Sequence, residues 1–399
     1  MIDFTLPPEL VELRDRVSAF VEREVLPVED RPRGEVLPSL REKARAAGLW
    51  NPHLPAEYGG LGLGPLGMAL VHEACGRSGL ASLALNAMAP DEGTMHILLE
   101  RGTEEQKARY LGPLAAGEVR SCFAMTERDV AGSDPTLLRT TATLDGDHWV
   151  IDGEKWFISG AEGAAFSLVV AMTDPGEERP HDRYSILIVP TDTPGWTVVR
   201  DIPVMGAEGP GGHCEVRLEG VGVPKGALLG ERGKGFAIAQ SRLGAGRLGH
   251  AMRWIGVAQA ALDLAAARAL EREAFGKALA RHQGVQWMLA DSAMQLYAAR
   301  LMVLHAAWKV ERGDDHRQEV AFVKVFVAEA LGDIVDRALQ ILGSLGYSKD
   351  TPVERWYRDA RSARIYDGPS EVHRAFIARG LLRAAAETGS TRPATGGLT

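Results

Sequence analysis

The stretch Arg139–Ser159 reads RTTATLDGDHWVIDGEKWFIS. β-Branched and aromatic residues alternate in it around Asp-Gly pairs, the pattern of strands joined by tight turns. The sequence on either side has a different period. Upstream, ELVELRDRVSAFVEREV sets Leu10, Leu13, Val17, Phe20 and Val21 on one helical face. Downstream, RLGHAMRWIGVAQAALDLAAARALERE is Ala- and Leu-rich, with small residues that let helices approach closely. The chain is therefore expected to be mostly α with a central β-domain. The expected layout is a helical domain over 1–120, a β-domain over 121–235, a helical domain over 236–385 and a loose polar tail over 386–399.

Local signals refine this layout. SLREKARAAGLW predicts a second helix, with Ser39 as its cap and Gly48 as its stop. Thr103 and Gln106 have capping-box spacing. FSLVVAM and YSILIVP read as buried strands. HQGVQWMLADSAMQLYAARLMVLHAAWKVERG and EVAFVKVFVAEALGDIVDRALQILGSLG predict two more long helices. These helices are too apolar for one buried face, so an oligomer is expected.

The chain has 399 residues, 45% apolar and 25% charged, ordinary for a water-soluble globular protein. No apolar run of about 18 residues predicts a membrane span, and the amphipathic, acidic start lacks the form of a secretory signal. A net charge of −8 argues against a nucleic-acid surface. Cys75, Cys122 and Cys214 are odd in number and far apart, so neither a disulfide framework nor a zinc site is implied, and a reducing, cytoplasmic setting fits. The eleven His are scattered and read as surface or packing residues.

Several segments admit both a structural and a chemical reading. Gly62, Gly64 and Gly67 match the dinucleotide spacing, but they follow no strand and read as a loop. FAMTERDVAGSDP runs from a short strand into a Gly-Ser-Asp loop, which can hold a phosphate or only cap its own amides. In EKWFISG, Trp156 and Phe157 read as two buried packing aromatics. In EREAFGKALARHQ a helix ends near Arg272, turns at Phe275-Gly276 and restarts before Gln283. Arg272 suits a pyrophosphate, or simply a helix C-terminus. QILGSLG ends a helix at its glycines. Asp367, in RIYDGPSEVHR, reads on local grounds as part of a turn that starts a helix.

Taken together, AMTERDVAGSD, EKWFISG, RxxFGKxLxxHQ, QILGxxG and RDARxxxIYDGPSEVHR resemble the acyl-CoA dehydrogenase family, over about Phe4 to Ala384. The resemblance implies an N-terminal helical domain, a middle β-barrel or sandwich domain and a C-terminal four-helix bundle. It also implies one FAD per subunit, a homotetramer arranged as a dimer of dimers, electron-transfer flavoprotein as acceptor, and a place in fatty acid metabolism. It puts Phe123, Met125 and Thr126 against the isoalloxazine ring, with Phe157 and Ser159 beside the flavin. Ser133 would touch flavin phosphate or the CoA part of the substrate. Arg272, Phe275, Gln283, Gln340 and Gly343 would reach the FAD of a neighbouring subunit, and Pro369 and Glu371 the adenine-side phosphates. Phe157 stands where Trp is commonest, Ser344 where a second Gly is usual, and Pro369 and Glu371 where Thr and Gln are frequent.

The resemblance makes Asp367 the catalytic base, one methylene shorter than the usual Glu. The alternative base position is Gly246, before Arg247, and offers no carboxylate. Arg247, Tyr366 and Gly368 are implied as substrate-side neighbours. The implied reaction is α,β-desaturation of an acyl-CoA thioester, with flavin N5 as hydride acceptor. The thioester oxygen would be held by a ribityl hydroxyl and the main-chain N–H of the base residue. Apolar surroundings are expected to tune the base. An oxidase or monooxygenase of the same fold is the first alternative, though oxygen-activating members often lack the base. A flavin-binding member that associates with DNA is the second, and the acidic charge and absence of an extra C-terminal region argue against it.

Overall fold

The computed structural model describes residues 5–206 and 212–391. Of the expected tail 386–399, residues 392–399 lie outside the described residues. The helices are α1 (Pro8–Phe20), α2 (Arg33–Ala46), α3 (Pro65–Cys75), α4 (Ala81–Ala84), α5 (Asp91–Arg101), α6 (Glu104–Gln106), α7 (Gly112–Ala116), α8 (Gly235–Glu271), α9 (Gln283–Glu311), α10 (Arg317–Leu342), α11 (Ser344–Tyr347), α12 (Val353–Ser362) and α13 (Ser370–Thr388). The strands are β1 (Ser121–Ala124), β2 (Thr141–Asp145), β3 (His148–Ser159), β4 (Phe166–Met172), β5 (Tyr184–Pro190), β6 (Trp196–Asp201), β7 (His213–Pro224), β8 (Leu228–Leu229), β9 (Glu273–Ala274) and β10 (Lys277–Ala278). Packing divides the chain into two units. A helical unit comprises the chain up to Arg31, Gly64–Ala81 and everything from Arg247. A sheet unit comprises Pro32–Leu63 and Ser82–Gly246.

The sheet unit is built on eight strands in the order β6-β7-β3-β2-β4-β5-β8, with β1 parallel to β4. On β4, Phe166, Leu168 and Val170 pack with Ile97, Leu98, Leu111 and Leu114. Its alternate residues Val169 and Ala171 pack with Trp149, Leu187 and Val216. Both faces of β4 are therefore buried, which is why FSLVVAM is apolar without alternation. Thr103 and Gln106 form the expected capping box.

Two local expectations for this unit are corrected. Ser39 is not a cap: α2 begins at Arg33, and Ser39 lies inside it. Val36, Leu40 and Ala44, four residues apart, form one buried stripe that carries the helix across Pro38. Asp145-Gly146 turns the chain, but Asp152-Gly153 does not, because β3 runs through it with a register shift against β7.

The helical unit has one core, shared by α8, α9, α10 and α12. Small residues line α8, and Ala251, Ala258, Ala261, Ala265 and Ala269 are all buried. The end of α3 lies close against α8. A Cβ on Gly76 would lie 2.3 Å from the Arg253 carbonyl oxygen and 2.8 Å from the Gly256 Cα. Only two glycines permit such contact.

Candidate active site

In the helical unit, Asp367 closes the loop between α12 and α13. Ser370 N–H donates to the Arg364 carbonyl at 3.1 Å, and α13 starts at Ser370 with Pro369 as its N-cap. The turn read from the sequence is thus present. Asp367 itself has φ +55° and Gly368 φ +95°. A non-glycine residue in the left-handed region costs about 1–2 kcal/mol, so its surroundings must hold it there. Two donors do so through its carbonyl oxygen: Arg247 Nε at 2.9 Å and His373 Nε2 at 3.3 Å. The side chain then projects to His250, whose Nε2 lies 3.1 Å from Oδ2.

The surroundings of this carboxylate are mixed, not simply apolar as expected. Trp254 Nε1 donates to the Tyr366 hydroxyl at 2.9 Å, and the His250 ring meets Tyr366 edge-on at 5.0 Å. Beneath them the buried Lys324 ammonium donates to the Ala363 carbonyl at 2.6 Å, 5.1 Å from the Trp254 ring and 5.4 Å from the Tyr366 ring. Burial drops Lys324 to about 8, with Asp367 pulling it back up. Burial also lowers Arg247, again against the pull of Asp367. It raises the Tyr366 phenol, and Asp367 adds to that rise. His373 falls to about 4 through burial and the neighbouring Arg247.

In the sheet unit, Phe123, Met125 and Thr126 lie at the end of β1, and the hydroxyl of Thr126 bonds the Trp156 carbonyl. Trp156 N–H donates back to the Thr126 carbonyl at 2.8 Å. A buried ion pair locks this junction. Lys155 Nζ lies 2.9 Å from Glu127 Oε1 and donates to the carbonyls of Met125 and Val170. Glu127 also accepts from the N–H groups of Arg139 and Thr140. Burial drops Lys155 to about 8, against the pull of Glu127. Burial alone would raise Glu127, but Lys155 and the amide donors hold it below the usual carboxylate range.

Trp156 and Phe157 are not the buried pair expected. The β3–β7 register shifts between Lys155 and Ile158, and Phe157 has φ +57°. This bulge breaks the alternation, so Lys155 goes inward and Phe157 stays 46% exposed, edge-on to Trp156 at 5.3 Å. Ser159 Oγ lies 2.9 Å from His213 Nδ1. Ser133 stands on an exposed loop where Asp134 caps the Thr136 N–H at 3.1 Å.

The remaining site candidates lie elsewhere. Arg272 and Phe275 belong to the short β9–β10 hairpin beyond α8, and Phe275 is 97% exposed. Gln283 begins α9, Gln340 lies in the last turn of α10, and Gly343 ends it at φ +64°. All are exposed, as is Glu371 in the first turn of α13. Arg247 and the hairpin mark opposite stretches of α8, about 36 Å apart at 1.5 Å per residue over 24 residues.

His250, Arg253, Trp254 and Lys324 were not singled out from the sequence. A signal existed in RLGHAMRW, where Arg247, His250 and Trp254 fall on one helical face. Another lay in EVAFVKVFVAEAL, which sets a lone Lys at a core position.

Models of the acyl-CoA dehydrogenase N-terminal, middle and C-terminal domains match residues 7–118, 122–221 and 233–382. The chain belongs to the acyl-CoA dehydrogenase family. It is 40% identical to the probable acyl-CoA dehydrogenase FadE2 of Mycobacterium tuberculosis, over 96% of this chain and 97% of that one. It is also 40% identical to mouse acyl-CoA dehydrogenase family member 10, but there it spans only 37% of the longer protein. Among solved structures, butyryl-CoA dehydrogenase from Megasphaera elsdenii superposes with a TM-score of 0.84 at 31% identity, over 96% of this chain and 100% of that one. The chain is thus an oxidoreductase with the family's fold, and its cofactor is FAD. Its own residues fit a flat aromatic group: Phe157 is held out of the core on strained backbone, beside Trp156 and Ser159. Among the described residues no helix is long and apolar enough to cross a membrane, and no cluster suits a metal ion.

Proposed function

We propose that the chain dehydrogenates an acyl-CoA thioester between Cα and Cβ to the trans-2-enoyl-CoA, with Asp367 as the α-proton base. One observation carries this reading. Asp367 stands on left-handed backbone with its carbonyl accepting from both Arg247 and His373, and its carboxylate Oδ2 lies 3.1 Å from His250 Nε2. FAD, when bound, supplies the hydride acceptor for the β-carbon. Tyr366 and Gly368 flank the acyl chain, and Arg247 fixes the loop that carries the base. Phe123, Met125, Thr126, Phe157 and Ser159 seat the ring system, with Ser133 at the phosphate or CoA end.

Arg272, Phe275, Gln283, Gln340 and Gly343 serve the FAD of a neighbouring copy in a homotetramer, with Pro369 and Glu371 toward the adenine-side phosphates. The length of α8 supports this, since it separates the hairpin from Arg247 by more than either side chain can bridge. So does the exposed apolar stripe Trp287, Met294, Tyr297 and Trp308 on α9. The cytoplasm, fatty acid metabolism and electron-transfer flavoprotein as acceptor complete the reading. Cys75, Cys122 and Cys214 are buried and in no disulfide, which fits a reducing compartment.

The test is a panel of acyl-CoAs added anaerobically to the FAD-loaded protein. Bleaching of the flavin by some of them is expected. Asp367→Asn should keep its FAD and bleach at least about 10³-fold more slowly. Bleaching of that variant at the normal rate would remove Asp367 from the chemistry. Asp367→Glu should keep some activity and shift the chain-length preference.

A further inference from the structure

We propose that His250 is a positioning residue for Asp367, and that Arg253 fixes the tautomer in which it works. The inference rests on Asp367 being the base. Its grounds are one close N···O contact and two hydrogen bonds in the helical unit. His250 Nε2 lies 3.1 Å from Asp367 Oδ2. Arg253 Nη2 lies 2.9 Å from His250 Nδ1, and Arg253 Nη1 lies 2.9 Å from His72 Nδ1.

The donor and acceptor roles follow from chemistry. A guanidinium has five N–H donors and no acceptor. His250 Nδ1 must therefore be the acceptor, its lone pair turned to Arg253. A neutral imidazole with Nδ1 bare carries its proton on Nε2. That Nε2–H donates to Asp367 Oδ2. Protonating Nδ1 would set N–H against N–H, so the Arg253 contact favours the neutral ring. His72 Nδ1 accepts from the other arm by the same logic.

The frame behind this chain is rigid. Arg247, His250, Arg253 and Trp254 lie on one face of α8. His72 is buried on α3. A Cβ on Gly249 would fall 2.9 Å from His72 Nε2, so the two helices leave the imidazole no room to shift. One end of the chain is thus anchored at a glycine-mediated helix contact, and the other holds the short base. His250 itself meets Arg253 on α8 and Tyr366 and Asp367 on their loop; the other titratable or charged groups around this chain are Arg247 on α8 and His373 on α13, which bond the Asp367 carbonyl, His72 on α3, which bonds Arg253, and Lys324 on α10, near Tyr366.

The same roles mean that the chain holds a proton but does not pass one on. Once Asp367 is protonated it finds an N–H at Nε2 and, behind it, a filled Nδ1. The proton taken from substrate must leave Asp367 by another route.

The test uses the FAD-loaded protein and anaerobic bleaching by an acyl-CoA that the panel above shows to be a substrate, from pH 5.5 to 9. His250→Phe keeps ring volume and loses the donor. It should retain FAD and leave KM near normal, with the bleaching rate down about 10²-fold, the effect of misplacing a reacting group by about 1 Å. His250→Gln, whose amide can donate at similar reach, should recover most of the rate. Arg253→Met frees Nδ1 to take a proton and should add a titration step to the pH profile within that range. An unchanged rate and pH profile in His250→Phe overturns the proposal. Equal loss in His250→Phe and His250→Gln overturns it too, since that is a packing effect. If His250→Phe does not fold, an unchanged pH profile in Arg253→Met overturns it alone. Asp367→Asn separates the two claims: normal bleaching there removes the base itself, whereas a dead Asp367→Asn with a normal His250→Phe removes only His250.

Discussion

The Arg247 guanidinium donates through Nε to the main-chain carbonyl of Asp367 at 2.9 Å, 120 residues away in the chain. An Arg beside an Asp would ordinarily be read as a charge pair. Here it also fixes backbone, because the carbonyl it bonds belongs to a residue at φ +55°. The loop that presents the acid is held from α8 by Arg247 and from α13 by His373, and Gly368 makes room for the second contact.

Gly368→Ala tests that clamp. A Cβ at Gly368 would lie 2.7 Å from His373 Nε2, and φ +95° is a region L-residues rarely adopt. Strain and displacement together should cost about 1–3 kcal/mol. The expected result is a lower melting temperature and slower acyl-CoA bleaching with FAD still bound. Wild-type melting and bleaching would show that the loop tolerates another path.

His373 gives the acid side of stability. Burial and Arg247 lower it from its ordinary 6.5 to about 4 in the folded state. Between those values the unfolded chain binds the proton and the folded one does not. Stability is therefore full above about pH 6.5 and falls as pH drops toward 4, by at most about 3.4 kcal/mol at 1.36 kcal/mol per unit. Melting curves from pH 7 to 4 should fall less steeply for His373→Asn than for the native chain. Parallel slopes would assign acid sensitivity to other groups.

How much of this was legible beforehand depended on range. Thr103 and Gln106 announce their capping box because the partners are three residues apart. FSLVVAM and YSILIVP announce buried strands because burial on both faces needs no knowledge of register. The Trp156-Phe157 bulge was not legible, since one extra residue in a strand reverses the face of all that follows and leaves no mark in composition. The chain from His72 to Arg253 joins positions 181 apart. A lone His in each segment carries no sign of the other, and only the fold brings them together.

Lys324 should set a basic limb. Its ammonium, at about 8, is charged below that pH and neutral above it, and Asp367 is among the groups that interact with it. The bleaching rate should fall as pH rises through about 8, when the cation beside the base disappears. Lys324→Met should be slower below pH 8 and lack that limb. A limb that persists in Lys324→Met belongs to another group.

The Lys155–Glu127 pair should matter to stability more than any exposed ion pair. Lys155 is fully buried and also serves the carbonyls of Met125 and Val170. Removing one partner leaves an uncompensated buried charge, typically a loss of about 3–5 kcal/mol. Lys155→Met should melt much lower than Arg14→Met, which breaks the exposed pair with Asp15. Similar melting of the two variants would refute the ranking.

Phe157 separates stability from cofactor retention. Its φ of +57° costs the folded chain about 1–2 kcal/mol, and its ring is 46% exposed, so little burial offsets that cost. Glycine adopts this backbone freely but also loosens the unfolded chain, by up to about 1 kcal/mol relative to Ala. Two substitutions resolve these effects. Phe157→Ala removes the ring and keeps the strained backbone of a Cβ-bearing residue, whereas Phe157→Gly removes both. Stripped of FAD, Phe157→Gly should melt at or above Phe157→Ala, because relief of strain outweighs added chain freedom. With FAD, both should release the flavin faster than the native protein and by similar factors, because each lacks the ring that would cover it. If both retain FAD as tightly as the native chain, the exposed ring serves something other than the flavin. If Phe157→Gly melts well below Phe157→Ala, the bulge stores no strain.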